Sequence, residues 1–158
     1  MKPDEMAQRF AYVDLRDWIR EVEKLGEIKR LQGMSWERDI GMVTAMLQRN
    51  DPSPCAIFED IPGLRKGFRV LTNFFGPRRA NVMLGFPPGM ARLELSNAFL
   101  KAYKDPESKP IPHVVVEDGP VFENAITGDD VDITRFPAPQ WHESDGGCYI
   151  GTGCYSVP

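Results

Sequence analysis

The sequence has 158 residues, 42% of them hydrophobic, and a formal net charge of -4. This length fits one domain, or one domain and the start of another, and the hydrophobic share excludes a disordered chain because it is enough to bury a core. The acidic balance, with no basic run longer than the pair Arg78-Arg79, argues against nucleic-acid binding.

The amino terminus and the cysteines indicate the compartment. Met1 is followed by polar residues, unlike a signal peptide, and no apolar run approaches the roughly 18 residues that a membrane span needs. Cys55, Cys148 and Cys154 are odd in number and lack CxxC spacing, so neither a disulfide framework nor a zinc knuckle is indicated. We therefore expect a soluble protein of the reducing cytoplasm, without nucleic-acid or membrane partners.

The first part of the sequence alternates helical and extended patterns. Apolar residues at helical spacing predict four helices, over 15–25, 35–49, 78–84 and 90–103. Short apolar runs bounded by turn residues predict three strands, over 27–31, 55–58 and 68–71. Asp14 is the candidate N-cap of the first helix, and Gly26 is its stop. The alternation is typical of an α/β domain.

The segment 105–112, DPESKPIP, interrupts this alternation. Its prolines disfavour both helix and central strand, so we place a domain boundary here, between an α/β domain over 1–112 and a second unit over 113–158. Further apolar runs predict strands over 114–116, 121–126 and 148–157. The second unit is short for a core of its own, so we expect an incomplete β domain and a fragment of a longer protein.

The densest polar cluster is the stretch 140–147, QWHESDGG. His142, Glu143 and Asp145 are acceptable metal ligands by type. Their spacing is not that of a helical HExxH site, and adjacent residues of an extended chain point to opposite sides. The sequence therefore favours side chains that cap a turn over a metal site.

Residues 145–153, DGGCYIGTG, are rich in glycine. Such a backbone can approach a ligand closely, and adjacent amides can cradle a phosphate. The stretch lacks both the Lys-Ser or Lys-Thr of a Walker loop and the helix that follows a dinucleotide fingerprint. A hairpin turn into a glycine-bearing strand is therefore favoured over a phosphate site. Cys148 and Cys154 are expected to be buried small hydrophobes.

Arg78 and Arg79 lie near the predicted start of a helix, where the helix dipole disfavours cations. The placement suits either an anion or carboxylate ligand or salt bridges at the protein surface. Surface salt bridges are the favoured interpretation.

Four stretches resemble the UbiD-like decarboxylases, in the order of that family. They are DLRDWIREVEKLGEIKRL (14–31), CAIFEDIPG (55–63), VLTNFFGPRRANVMLG (70–85) and GDDVDITRFPAPQWHESDGGCYIGTG (128–153). The last is the most specific, because it follows the family pattern of Asp-Leu-x-x-Phe/Leu-Pro, then His-Glu, then Asp-Gly-Gly-x-Tyr.

The resemblance implies a fold, an activity and cofactors. It implies an α/β amino-terminal domain followed by the first strands of a split β-barrel flavin-binding domain, in a full-length protein that forms homo-oligomers. The implied activity is the non-oxidative, reversible decarboxylation of an aromatic, heteroaromatic or α,β-unsaturated carboxylic acid. The implied cofactors are prenylated FMN, Mn²⁺ or Mg²⁺, and K⁺, with the flavin carrying the chemistry and the protein positioning it.

Little of the implied site falls within this sequence. Thr152 matches a threonine that lines the flavin pocket in relatives, whereas Cys148 stands where most relatives have Arg. The metal ligands and the Glu-Arg-Glu network of the family would lie beyond Pro158, so the chain alone is expected to be inactive. Two other classes of function stay open, an accessory subunit that needs a partner to complete the barrel and a small flavin-binding module.

Overall fold

The computed structural model describes residues 12–105 and 112–151. The helices are α1 (Leu15–Lys24), α2 (Asp39–Arg49), α3 (Pro77–Met83) and α4 (Arg92–Lys104). The strands are β1 (Ile28–Gln32), β2 (Cys55–Glu59) and β3 (Val70–Thr72). Three 3-10 turns follow, over Pro120–Phe122, Gly128–Asp130 and Ile133–Arg135. Within these residues no helix has the length and apolar character to cross a membrane.

The three strands form one mixed sheet in the order β1-β2-β3. β1 and β2 are parallel, with Ile28 opposite Cys55, whereas β2 and β3 are antiparallel, with Ala56 opposite Thr72. A parallel pair needs a crossover, and α2 lies in the connection between β1 and β2. The sheet therefore confirms the α/β class predicted for the first part of the chain.

The central strand explains why the core has two halves. Successive side chains of a strand point to opposite faces. On one face Cys55 packs with Trp18 and Val22 of α1 and Val82 of α3. On the other face Ala56 and Phe58 pack with Ile40 of α2 and with Ile61. The unbroken apolar run of β2 is thus buried on both faces, as in larger parallel sheets.

The predicted signals of the first helix are confirmed. The Asp14 side chain accepts a hydrogen bond from the backbone N–H of Asp17 at 2.9 Å and caps α1. Gly26 follows the helix with a φ of 71°, the left-handed conformation that glycine adopts without strain. The Glu27 N–H then reaches back to the Val22 carbonyl at 3.3 Å, which closes the last turn.

Helix α2 begins later than predicted, at Asp39 and not at Ser35. The Asp39 carboxylate accepts a hydrogen bond from the Ser35 backbone N–H at 2.9 Å. This bond closes a turn before the helix, so Trp36 precedes the helix and does not form part of it. Trp36 nevertheless packs against the cluster of Ile40, Ala56, Phe58 and Ile61, on the inward side that its helical spacing predicted.

The strands predicted over 114–116 and 121–126 are wrong. Residues 112–119 are irregular, and 120–122 form a 3-10 turn. A strand needs a neighbour to pair its backbone N–H and C=O groups, and none is present for these runs in the described part of the chain. The third predicted strand is irregular over 148–151, and its remainder, 152–157, lies outside the described residues.

The interpretation of Arg78 and Arg79 as a surface pair is wrong for Arg79, which is 1% exposed. Its Nη1 donates to Glu27 Oε2 at 2.7 Å, and its Nη2 donates to the carbonyls of Ser53 at 2.7 Å and Asn73 at 3.0 Å. Arg78 is half exposed and reaches the other Glu27 oxygen at 3.2 Å. The two cations therefore hold one carboxylate, Arg79 within the fold and Arg78 at its surface.

Replacing Arg79 with methionine should lower the free energy of unfolding by about 3–5 kcal/mol, because Glu27 would stay buried without its main partner. Urea denaturation followed by tryptophan fluorescence measures this change. Arg78→Met is the matched control, since it removes a neighbouring cation from the same carboxylate at a half-exposed position, and it should cost less than about 1 kcal/mol. Equal losses for the two variants would contradict the assignment.

Candidate functional site

The segment 136–141 fastens the second part of the chain to the α/β domain. Pro139 is fully buried, and Trp141 packs against the cluster formed by α2 and β2. The Gln140 backbone N–H donates to the Trp36 carbonyl at 3.0 Å. Phe136 meets Phe68 edge to face, with ring centroids 5.9 Å apart. We call residues 136–141 the strap.

Gly41 has no side chain, and this allows the strap to lie directly against helix α2. This residue lies in the interior of α2 and is buried. A Cβ built on it would overlap the backbone of Trp141. Glycine inside a helix costs roughly 0.5–1 kcal/mol relative to alanine, so the position is suited to close backbone contact and not to helix stability. An isolated glycine in a helical pattern was the sequence signal for this contact, and the sequence analysis missed it.

The polar cluster after the strap forms a turn. The His142 N–H donates to Asp145 Oδ2 at 2.9 Å, and the Asp145 N–H donates to the His142 carbonyl at 3.1 Å. His142 Nδ1 lies 3.6 Å from the same carboxylate. Asp145 thus caps the turn, which confirms the interpretation that the sequence favoured over a metal site. Within 12–105 and 112–151 no group of three His, Cys, Asp or Glu is placed to hold a metal ion.

The strap also holds the glycine-rich segment that follows. Trp141 Nε1 donates to the Tyr149 carbonyl at 3.0 Å, and the two rings lie 6.2 Å apart. Around Gly146, Gly147 and Gly151, no atom of the described chain lies within 4 Å of where a Cβ would stand. The described chain therefore leaves space on the Cβ side of these glycines.

Two cavities flank Trp141 on the surface of α2. The larger, about 570 Å³, is lined in part by Glu37, Arg38, Met42, His142 and Glu143. The smaller, about 250 Å³, is lined in part by Thr44, Thr72, Asn73, Tyr149 and Gly151. The smaller one reaches the glycine-rich segment, and its described lining contains no Lys, Arg, Asp or Glu side chain.

This lining decides what the described residues can bind by themselves. Open backbone amides and neutral polar side chains can hydrogen-bond an anion. A doubly charged phosphate also needs a cation or a metal ion, and in the described lining of the smaller cavity His142 is the one side chain that can carry a positive charge. The described lining of this cavity can therefore hydrogen-bond a ligand, but it contains no carboxylate to hold a metal ion. Thr152, the predicted flavin contact, lies outside the described residues.

The cysteines differ sharply in exposure. Cys55 is buried and its Sγ lies 3.3 Å from the Glu27 carbonyl, and burial raises its thiol pKa to about 11. Cys148 is exposed, so its predicted role as a buried small hydrophobe is wrong. The side chain points to solvent because the segment 148–151 is not paired in a sheet. Cys154 lies outside the described residues.

Comparison with known proteins gives two family models that match the chain in sequence order. The model described as the 3-octaprenyl-4-hydroxybenzoate carboxy-lyase N-terminal domain matches residues 19–99. The model described as the 3-octaprenyl-4-hydroxybenzoate carboxy-lyase Rift-related domain matches residues 113–157.

Similar curated proteins include a pyrrole-2-carboxylic acid decarboxylase from Pseudomonas aeruginosa, 32% identical over 155 residues, which cover 92% of this chain and 30% of that protein. An uncharacterized protein from Aquifex aeolicus is 30% identical over 161 residues, covering 91% of this chain and 32% of its own length. The chain therefore spans about a third of the length of these curated relatives.

Similar solved structures include the vanillic acid decarboxylase of Sedimentibacter hydroxybenzoicus. Its open form with truncated ShVdcD superposes with a TM-score of 0.77 at 27% identity, over 88% of this chain and 30% of that one. Its closed form gives a TM-score of 0.74 at 27% identity, over 88% and 29%. The fold described above is thus shared with part of a larger decarboxylase chain.

Substituting Gly41 with alanine should release the strap, because the new methyl group overlaps the Trp141 backbone. Amide hydrogen exchange at Gln140, whose N–H bonds Trp36, should accelerate roughly tenfold or more, since overpacking costs about 1–3 kcal/mol. Ala45→Gly is the control in the same helix: it should weaken α2 by about 1 kcal/mol and leave the Gln140 amide protected. Unchanged exchange at Gln140 in Gly41→Ala would refute the close contact.

Thiol labelling should separate the two described cysteines. In a Cys154→Ser background at pH 8, an aromatic disulfide reagent should modify Cys148 and spare Cys55, because a buried thiol with a pKa of about 11 is ionised to only about one part in a thousand. Mass mapping of the labelled peptides identifies the site. Cys55 should react once urea unfolds the chain, and labelling of Cys55 in the native protein would count against the described burial.

Proposed function

This chain belongs to the UbiD family of carboxy-lyases, and from that membership we propose that it forms the amino-terminal part of a non-oxidative, reversible decarboxylase. The substrate class we propose is an aromatic, heteroaromatic or α,β-unsaturated carboxylic acid. Pyrrole-2-carboxylate and vanillate, the acids in the names of the relatives above, are aromatic or heteroaromatic acids of this kind.

We further propose that the chain works with prenylated FMN, Mn²⁺ or Mg²⁺, and K⁺. When bound, the modified flavin would supply the electron sink for loss of carbon dioxide. The contribution of the described residues would be the open backbone at Gly146, Gly147 and Gly151, with Thr152 as a further contact at the pocket edge. The charge complement of the phosphate would come from other parts of the complete site.

The observation that supports the place of this chain within a larger polypeptide is the apolar surface of residues 112–136. Large hydrophobic side chains that include Val114, Val115, Val121, Phe122 and Ile133 are exposed, Val115 by as much as 84%. Exposed apolar patches of this kind mark surfaces that another polypeptide covers. Helix α4 likewise has no buried residue.

We propose that these surfaces pack against the two thirds of the family polypeptide that this chain does not match. In that arrangement residues 1–112 are the α/β domain, and 113–158 begin the split β-barrel of the flavin domain. The runs 114–116 and 121–126 would then acquire the strand neighbours that the described chain lacks. The full-length protein would form a homo-oligomer.

A chimera tests the proposal. This chain replaces the matching amino-terminal part of the Pseudomonas aeruginosa decarboxylase, and the purified chimera is supplied with prenylated FMN and Mn²⁺. We expect it to retain flavin through gel filtration and to release carbon dioxide from pyrrole-2-carboxylate. The 158-residue chain alone should do neither, because the described lining of its smaller cavity contains no carboxylate to hold a metal ion.

Two results would count against the proposal. Flavin retention and decarboxylation by the 158-residue chain alone would show that it is a complete module. A folded chimera that retains flavin without decarboxylation, while the parent enzyme is active, would favour an accessory role for this chain.

A further inference from the structure

Trp141 connects the two parts of the chain through its side chain and its backbone. Its side chain packs against the cluster of Ile40, Ala56, Phe58 and Ile61. Its backbone lies against Gly41, where no side chain could fit. Its Nε1 leaves the cluster and donates to the Tyr149 carbonyl at 3.0 Å. One side chain therefore anchors in the α/β core and holds the backbone of the glycine-rich segment.

The described side-chain hydrogen bonds of Gln140 end before that segment. Gln140 Nε2 reaches the carbonyls of Glu143 and Asp145 only at 3.4 Å, near the limit of a hydrogen bond. Cys148, Tyr149 and Ile150 are exposed and belong to no strand in the described chain. Among the described residues, the hydrogen bond that joins the strap to residues 146–151 is therefore the one from Trp141 Nε1 to the Tyr149 carbonyl.

We propose that Trp141 is a positioning residue: through its N–H it sets the place of the glycine-rich backbone at residues 146–151 relative to the α/β domain. The assignment of that backbone to a flavin site rests on the proposed function, whereas the coupling itself does not. Trp141 touches no reacting group in this assignment. It acts by restricting where the glycine amides lie, so that the α/β domain takes part in shaping the site.

Cys148 offers a probe inside the held segment. Its thiol is exposed, and Cys55 is buried with a pKa of about 11, so a nitroxide reagent should label Cys148 selectively in the 158-residue Cys154→Ser chain. The electron paramagnetic resonance spectrum then reports the fractions of immobile and mobile label. In the parent chain we expect the immobile component to dominate.

Trp141→Phe keeps an aromatic ring in the cluster and removes only the N–H donor and part of the ring. We expect the ratio of mobile to immobile label to rise about fivefold, the population change that corresponds to one neutral hydrogen bond. Trp36→Phe is the matched control, because Trp36 packs in the same cluster and its indole donates no described hydrogen bond. The control should leave the spectrum unchanged, and thermal unfolding should show both variants folded.

A second measurement needs no variant. In the parent chain the indole N–H of Trp141 should exchange with solvent several-fold more slowly than that of Trp36, as nitrogen-15 labelling of the tryptophans would show. Equal exchange of the two indoles, or a Cys148 label as immobile in Trp141→Phe as in the parent, would overturn the inference. Failure of the chimera with these results intact would instead overturn the proposed function, since neither measurement involves flavin.

Discussion

Burying one arginine in a small sheet requires that several acceptors meet at one place, and the strand directions bring this about. β1 and β2 run parallel while β3 runs against them. The residues before β1, before β2 and after β3 therefore lie at the same end of the sheet. Glu27, Ser53 and Asn73 occupy these three positions, and Arg79 binds all three.

The planar guanidinium makes this junction possible. Its fixed fork of five donors can serve a carboxylate and two carbonyls at once, which the point charge of a lysine cannot do in the same geometry. Gly76 leaves the space, because a Cβ there would overlap the guanidinium. Asn73 adds a second tie, since its side chain donates to Ser53 Oγ at 2.9 Å and to the Pro54 carbonyl at 2.8 Å. Helix α3, only seven residues long, is held by this reach of Arg79 and by the packing of Val82 in the core.

Sequence reasoning succeeded where the signal is local. The Asp14 cap, the Gly26 stop and the apolar run of β2 are each determined within a few residues, and each was predicted. It failed for Arg79, because the acceptors come from three distant parts of the chain and charge alone suggests a surface position. The valine run 114–116 has strand propensity, but a strand exists only with a partner, and pairing is not a local property. In the candidate site, the Asp145 turn was predictable from its residues, whereas the Gly41 contact with Trp141 depends on the packing of segments one hundred residues apart in sequence.

The two parts of the described chain are ordered by different means. Residues 12–105 have a paired sheet and two buried clusters, so their conformation is fixed by their own core. Residues 112–151 have no strand within the described chain, and their buried side chain, Pro139, belongs to the strap. Their conformation near the glycines is therefore set by docking on the α/β domain and not by a core of their own. Because Trp141 donates a hydrogen bond to the Tyr149 carbonyl, the packing of α2 against the strap bears directly on the position of those amides. An amino-terminal domain built in this way influences the glycine-rich backbone through its packing against the strap.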